Sequence, residues 1–216
     1  MNLTSEEKQF IRDHASDDAN RLLLGAKKYP QLDVPFLVDQ ILSRRQIREK
    51  LPSWYANEEL VFPAKIAAEQ CSSERTALYK QRLVSSSDAL CDLTGGLGID
   101  SYFFSRKIRQ LTYVERFPVY CEAARHNFQV LGADNITVQN ENSVDIVSDL
   151  PEVDVFYLDP ARRGEGNKRV FALSDCEPDL PCLLPLLLQK APRVIAKLSP
   201  MADLQQTESL LPGTVA

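Results

Sequence analysis

The chain has 216 residues, 44% of them hydrophobic and 25% charged, with a net charge of −5 at pH 7. That length holds one large domain, or a helical subdomain beside a domain of more usual size, and buries a core without disulfide or metal staples. The polar, acidic start MNLTSEEKQF is no signal peptide, and the longest apolar stretch, Pro181–Leu188, is proline-broken and too short to span a bilayer, which excludes secreted miniproteins and membrane proteins.

Residues 1–88 read as helices. Thr4 followed by Glu7 has capping-box spacing, and Phe10 and Ile11 begin an apolar face. A second helix is expected from Asp17 towards Gly25. A third is expected over about 34–50, carrying Phe36, Leu37, Ile41 and Ile47, with Pro52 stopping it. A loop with Trp54, Tyr55 and Phe62 follows, and Ser72 or Ser73 starts a further helix through Thr76, Tyr79 and Lys80. No strand pattern occurs in this half. From residue 89 the rhythm becomes strand–helix–strand. Strands are expected at Ala89–Leu93, Gln110–Glu115, Asn135–Gln139, Val153–Asp159 and Arg193–Leu198, with helices through Tyr102–Phe104 and over Pro118–Leu131. Alternation at this spacing implies an α/β, doubly wound, mostly parallel sheet with right-handed crossovers. The expected division is a helical subdomain over 1–84 and a ligand-binding domain over 85–216. Residues 1–88 are charge-balanced, so the whole excess of acid falls in 89–216. That argues against a broad nucleic-acid-binding face and leaves room for local basic clusters.

Eight glycines occur in the chain, and three of them, Gly95, Gly96 and Gly98, cluster in CDLTGGLGID between the first strand and its helix. Glycine there permits a tight turn and lets a ligand approach backbone N–H groups, at the place where doubly wound sheets bind ligands. No Gly-Lys-Ser/Thr follows, so this is not a phosphate-binding P-loop. A dinucleotide fingerprint wants a small residue three positions after Gly98, where Ser101 stands; that weakens a nicotinamide reading without removing it. Asp92, ending the strand, would repel a pyrophosphate and suits a cationic ligand such as the amino group of a methionine moiety. Glu115, ending the second strand, is placed for both hydroxyls of a ribose, and Asn142 and Ser143 for an adenine edge. With Thr94 and Arg116 beside them, these residues read together as a pocket for S-adenosylmethionine, although each acid alone is more often a solvated or capping residue.

Three stretches, DLTGGLGID, VERFPVYCEAARHNF and DVFYLDPARR, resemble the successive motifs of class I S-adenosylmethionine-dependent methyltransferases, over about residues 85–205. More narrowly, EQCSSERTALYK followed by DLTGGLGID and YLDPARR resembles bacterial methyltransferases with a C-terminal THUMP-like domain. The resemblance implies a Rossmann-like fold, S-adenosylmethionine as cofactor, and a chain that continues beyond position 216. It also implies a domain truncated before the antiparallel strand pair that completes the seven-stranded sheet.

In the resemblance, Asp159-Pro160-Ala161-Arg162 occupies the place of an (Asn/Asp/Ser)-Pro-Pro-aromatic motif for methylation of exocyclic amines. The Asp159 carboxylate and the Pro160 carbonyl are both able to accept hydrogen bonds from an amine and hold its lone pair towards a methyl donor. Helix capping or a pair with Arg162 is the plainer reading of Asp159. Ala161 replaces the second proline and Arg162 the aromatic residue, which argues against adenine N6. Lys197–Pro200 (KLSP) lacks the cysteine of covalent uracil-C5 enzymes. TGGLGID, VERFP and YLDP are similar to ribosomal-RNA guanine-N2 methyltransferases, and DPARR to KLSPMADL is similar to trimethylguanosine synthases, so guanine N2 of RNA is the favoured acceptor.

Arg162, Arg163, Lys168 and Arg169, with Gly164 and Gly166 between them, form a basic loop expected to be mobile and to take phosphate oxygens of RNA or to be simply solvated. Arg44, Arg45, Arg48 and Lys50 read as a solvated helix face. His14 and His126 have no metal-ligand company and read as structural. Five scattered cysteines without a CxxC pair (Cys71, Cys91, Cys121, Cys176, Cys182) point to a reducing, cytoplasmic setting, the first three packing as small hydrophobes. Two other classes stay open: a methyltransferase-fold RNA-binding module with little or no catalysis, and a nicotinamide-dependent oxidoreductase. The N-terminal helices are expected to cover the cofactor pocket or the substrate cleft.

Overall fold

A computed structural model of the chain describes residues 2–162, 176–199, 202, 204–211 and 213. Its first helix, α1 (Ser5–Asp13), opens with the expected capping box: Glu7 N donates to Thr4 Oγ1 at 3.2 Å, and Thr4 N donates back to Glu7 Oε2 at 2.8 Å. Helix α2 (Ala19–Leu24) is capped by Asp18, and α3 (Val34–Ile47) by Asp33. Helix α3 buries Leu37, Val38, Ile41 and Ile47. It ends at Ile47 rather than Lys50. Pro52 does not only terminate it but starts a new turn, α4 (Pro52–Tyr55), as suits a residue whose missing N–H costs nothing at a first helical position. The stretch expected as a loop thus holds Trp54 in a helix, 0% exposed, edge-on to Tyr102 at 5.9 Å. Helix α5 (Lys65–Gln70) has no side-chain cap and therefore no start signal in the sequence. Helix α6 (Glu74–Lys80) begins behind Ser73, whose hydroxyl accepts from Thr76 N.

The second half alternates as expected: β1 (Ala89–Asp92), α7 (Ile99–Ser105), β2 (Gln110–Val114), α8 (Pro118–Val130), β3 (Ile136–Gln139), a short α9 (Ser143–Ile146) and β4 (Val155–Leu158). An unanticipated antiparallel pair, β5 (Ala161–Arg162) with β6 (Cys176–Glu177), brackets the undescribed segment. Then come α10 (Leu180–Lys190), β7 (Arg193–Ala196) and α11 (Leu204–Leu210). Five strands form one parallel sheet in the order β3-β2-β1-β4-β7. The order reverses between β1 and β4, so the crevice beyond their C-terminal ends is the topological switch point.

Alternation along the strands sends neighbouring side chains into two cores. Leu90, Leu111, Tyr113, Val155 and Tyr157 pack with Phe104, Ala124 and Phe128, whereas Cys91, Phe156 and Leu158 pack with Leu180, Leu183 and Leu187. A third core joins the two halves of the chain. Trp54, Leu60, Phe62 and Ala68 meet Leu97, Ile99 and Phe103, so residues of the glycine turn rest directly on the N-terminal helices.

Of the basic cluster at the end of α3, Arg45 and Arg48 are exposed as expected, whereas Arg44 is buried and Lys50 half-buried. Arg44 is 9% exposed and donates to the carbonyls of Asn57, Glu58 and Leu60. Arg45 serves the Ala15 and Asp17 carbonyls, and Lys50 those of Glu69 and Cys71. Arg48 lies over the Tyr55 ring at 6.0 Å. Three of these four cations thus donate to backbone carbonyls of other chain segments.

Candidate cofactor and active site

A cavity of about 240 Å³ opens at the switch point. Its walls hold every residue expected to face the cofactor: Asp92, Thr94, Gly95, Gly96, Gly98, Glu115, Arg116, Asn142, Ser143 and Asp159.

The glycine turn is required as such. Gly96 and Gly98 have φ of +53° and +82°, in the left-handed region that side-chain-bearing residues rarely enter. At Gly95 the need is space, since a Cβ there would lie 2.3 Å from the Tyr113 ring. Tyr113 is held in turn by its hydroxyl, which donates to Gly96 O at 2.6 Å. The turn closes on itself through Gly98 N to Gly95 O at 2.9 Å and is tied to β2 through Gly95 N to Val114 O at 3.0 Å.

Glu115 stands where β2 ends, half-buried, its Oε2 accepting from Gly96 N and its Oε1 from Phe117 N, both at 2.9 Å. Two backbone donors fix the carboxylate at the cavity wall and leave further lone pairs for a diol. Asp92 is 1% exposed and faces its own loop: Oδ1 accepts from Thr94 N at 3.0 Å and Oδ2 from Ser101 Oγ at 2.6 Å. Burial pushes its carboxyl up to about 7, against the opposing pull of the Ser101 and Thr94 hydrogen bonds. Ser101, at the place of a third fingerprint glycine, therefore works as the partner of Asp92. Asn142 caps α9 and donates to Asp145 Oδ2 at 2.9 Å, and Ser143 beside it is buried. Arg116 is exposed, paired with Glu177 at 2.6 Å and set over the Phe117 ring at 4.8 Å, so its charge is engaged at the rim.

Asp159 follows β4, and its backbone N donates to Thr94 Oγ1 at 2.7 Å, which locks the fourth-strand loop to the glycine turn. Its carboxylate neither caps a helix nor meets a described arginine. Oδ2 pairs with Lys197 Nζ at 2.5 Å, at the end of β7. Lys197 carries no motif signal beyond sitting in the KLSP stretch, and only the adjacency of β4 and β7 brings it to Asp159. Pro160 is half-buried next to it. Arg162 is described only as the backbone of β5, and Arg163, Lys168 and Arg169 lie outside the described residues, with Gly164 and Gly166.

The N-terminal helices close one side of the cavity, as expected: Ala67, Cys71 and Ser72 line it. Cys71 is half-buried rather than fully packed, and burial raises its thiol. Asp100 on α7 also reaches the wall, and Phe117 and Val144 stand exposed at the rim. The sequence points to these helices as the cover but not to the individual residues, because a serine pair that signals a helix cap does not signal which side chains face a cavity.

No protein-family model and no curated protein matches the chain. Among solved structures, it is similar to a putative methyltransferase from Porphyromonas gingivalis W83, at 33% identity and a TM-score of 0.78 over 97% of this chain. The chain spans about half the length of that protein, 53%. A precorrin 8w decarboxylase from Methanobacterium thermoautotrophicum shares 16% identity over 64% of this chain and 68% of its own, at a TM-score of 0.49. A precorrin-6y C5,15-methyltransferase from Geobacter metallireducens GS-15 shares 19% over 56% of this chain and 58% of its own, at 0.42. The sheet order, the glycine turn at the switch point and the similarity to the P. gingivalis protein agree: by its fold the chain belongs to the class I methyltransferases, whose methyl donor is S-adenosylmethionine.

Proposed function

We propose that the chain binds S-adenosylmethionine in the switch-point cavity and transfers its methyl group to an exocyclic amine of RNA, with guanine N2 as the acceptor. The observation that carries the reading is the convergence on one cavity of the glycine turn, the Glu115 carboxylate and Asp159 from three separate loops. The donor set fits the cofactor. Glu115 presents acceptors suited to ribose hydroxyls, Asn142 and Ser143 present polar groups to a base edge, and Phe117 and Val144 offer apolar surface to the faces of adenine.

Bound there, the cofactor supplies an electrophilic methyl group on a cationic sulfur. The chain's own residues then have to aim the acceptor and exclude competing groups. Asp159 Oδ2 is occupied by Lys197, which leaves Oδ1 and the Pro160 carbonyl as acceptors for the two N–H bonds of an incoming amine. Held this way, the nitrogen lone pair faces the donor, and the proton lost after transfer has Asp159 within reach. Lys197 also fixes the carboxylate against rotation, and the tie from Asp159 N to Thr94 Oγ1 keeps it in register with the cofactor turn. The RNA assignment and the guanine atom rest on the similarity of DPARR and its flanking motifs to guanine-N2 enzymes and on the basic character of residues 162–169.

The test is nucleoside mass spectrometry of RNA from cells with and without the full-length protein. Loss of N2-methylguanosine on deletion, restored by the wild type and not by Asp159→Ala, is the expected result. An unchanged inventory of methylated nucleosides would remove the RNA assignment.

A further inference from the structure

Lys80, the last residue of α6, is only 6% exposed although it carries an ammonium group. Its Nζ donates to Ser72 Oγ at 2.9 Å and to Tyr157 Oη at 2.8 Å, and it pairs with Asp100 Oδ2 at 2.5 Å. Ser72 and Tyr157 donate to that same oxygen, at 2.9 and 2.8 Å. Three donors therefore converge on one oxygen of a carboxylate. The other, Oδ1, is buried and has no hydrogen-bond partner among the described residues. Native proteins rarely leave a buried acceptor unpaired, because its lost hydration is then uncompensated. Asp100 and Ser72 both line the cofactor cavity, beside Asp92.

A donor arriving with the ligand resolves the imbalance. The methionine end of the cofactor carries an α-ammonium, which brings N–H donors and a positive charge together. Asp92 is poorly suited to receive it: both its oxygens already accept from Thr94 and Ser101, and burial favours its neutral form. We infer that Asp100 is the counter-ion of the cofactor's α-ammonium, and that Lys80, supplied by the N-terminal helices with Ser72, is the positioning residue that fixes which Asp100 oxygen is left for the ligand. This rests on the reading of the cavity as the cofactor site.

The test is a calorimetric titration of the full chain with S-adenosylhomocysteine and with its desamino analogue, in which hydrogen replaces the ammonium group. The wild type is expected to bind the amino form at least 10-fold tighter, as a charge-assisted contact should give. In Asp100→Asn, whose amide can keep its oxygen towards Lys80 and turn N–H groups to the free side, that ratio should fall towards one, while the desamino analogue binds as before. Lys80→Met should narrow the ratio in the same direction, and Lys80→Arg should restore part of it, which a purely structural lysine would not do. A ratio unchanged in Asp100→Asn overturns the inference, and so does an equal loss of both ligands. Neither result touches the cofactor reading, which fails instead if the wild type binds neither compound.

Discussion

Asp92 shows how burial changes the meaning of a residue. A carboxylate at the end of β1 looks like a ligand in the sequence, and the fold does set it in the cavity wall. Packing leaves it 1% exposed, however, so burial disfavours its charged form more than its two hydrogen bonds to the turn favour it. A pH dependence follows. Its carboxyl titrates near 7 in the folded chain and near the ordinary 3.8 when unfolded, so between those values the folded state holds the proton and the unfolded state has released it. Stability from this group is therefore fully present below about pH 4, is lost as pH rises through 7, and is level above that. Asp92→Asn should flatten the fall between pH 4 and 7 by roughly 4 kcal/mol relative to the wild type, in urea denaturation at a series of pH values. Parallel pH profiles for the two proteins would show that burial does not set this titration.

At the scale of elements, the two halves are joined through a strap that has no regular structure. Residues 60–62 lie between α3 and α8, and two buried amide side chains act as their missing strand partners. Gln40 bonds both backbone groups of Phe62, at 2.7 and 2.9 Å, and Asn127 bonds both of Val61, at 2.8 and 2.9 Å. Asn127→Leu leaves a buried N–H and C=O unpaired and should cost about 2–4 kcal/mol in chemical denaturation; a loss under 0.5 kcal/mol would show the strap to be held by Gln40 and apolar packing alone. Such contacts mark the boundary of what the sequence discloses. Strands and helices with local signals were legible: the Thr4 box, the Ser73 cap, proline at the head of α8, and the apolar runs of β1 and β4. Helix α5, without a cap, and the β5–β6 pair, only two residues per strand, had none. The arginines of α3 read as solvated because their acceptors are carbonyls many residues away. Within the site, the residues on the glycine turn and at the strand ends were legible, since topology fixes where those ends meet. Lys197, Lys80 and Asp100 were not, because their roles arise only where separate elements come together.

For the molecule as a whole, the sheet supplies the frame and the ends of β1, β2 and β4 meet at the cavity. The N-terminal helices complete it, resting on Leu97 and Ile99 and lining the cavity with Ala67, Cys71 and Ser72. Acceptors dominate the described wall, from Asp92, Asp100, Glu115 and Asp159, with Lys80 and Lys197 each satisfying one of them. Such a wall suits a cationic donor far better than a pyrophosphate. The most direct measurement is a crystal structure with S-adenosylhomocysteine. The account predicts the ribose hydroxyls on Glu115, the adenine between the Phe117 and Asn142 segments, and the sulfur facing Asp159. A ligand bound away from the glycine turn, or one whose sulfur lies remote from Asp159, would contradict it.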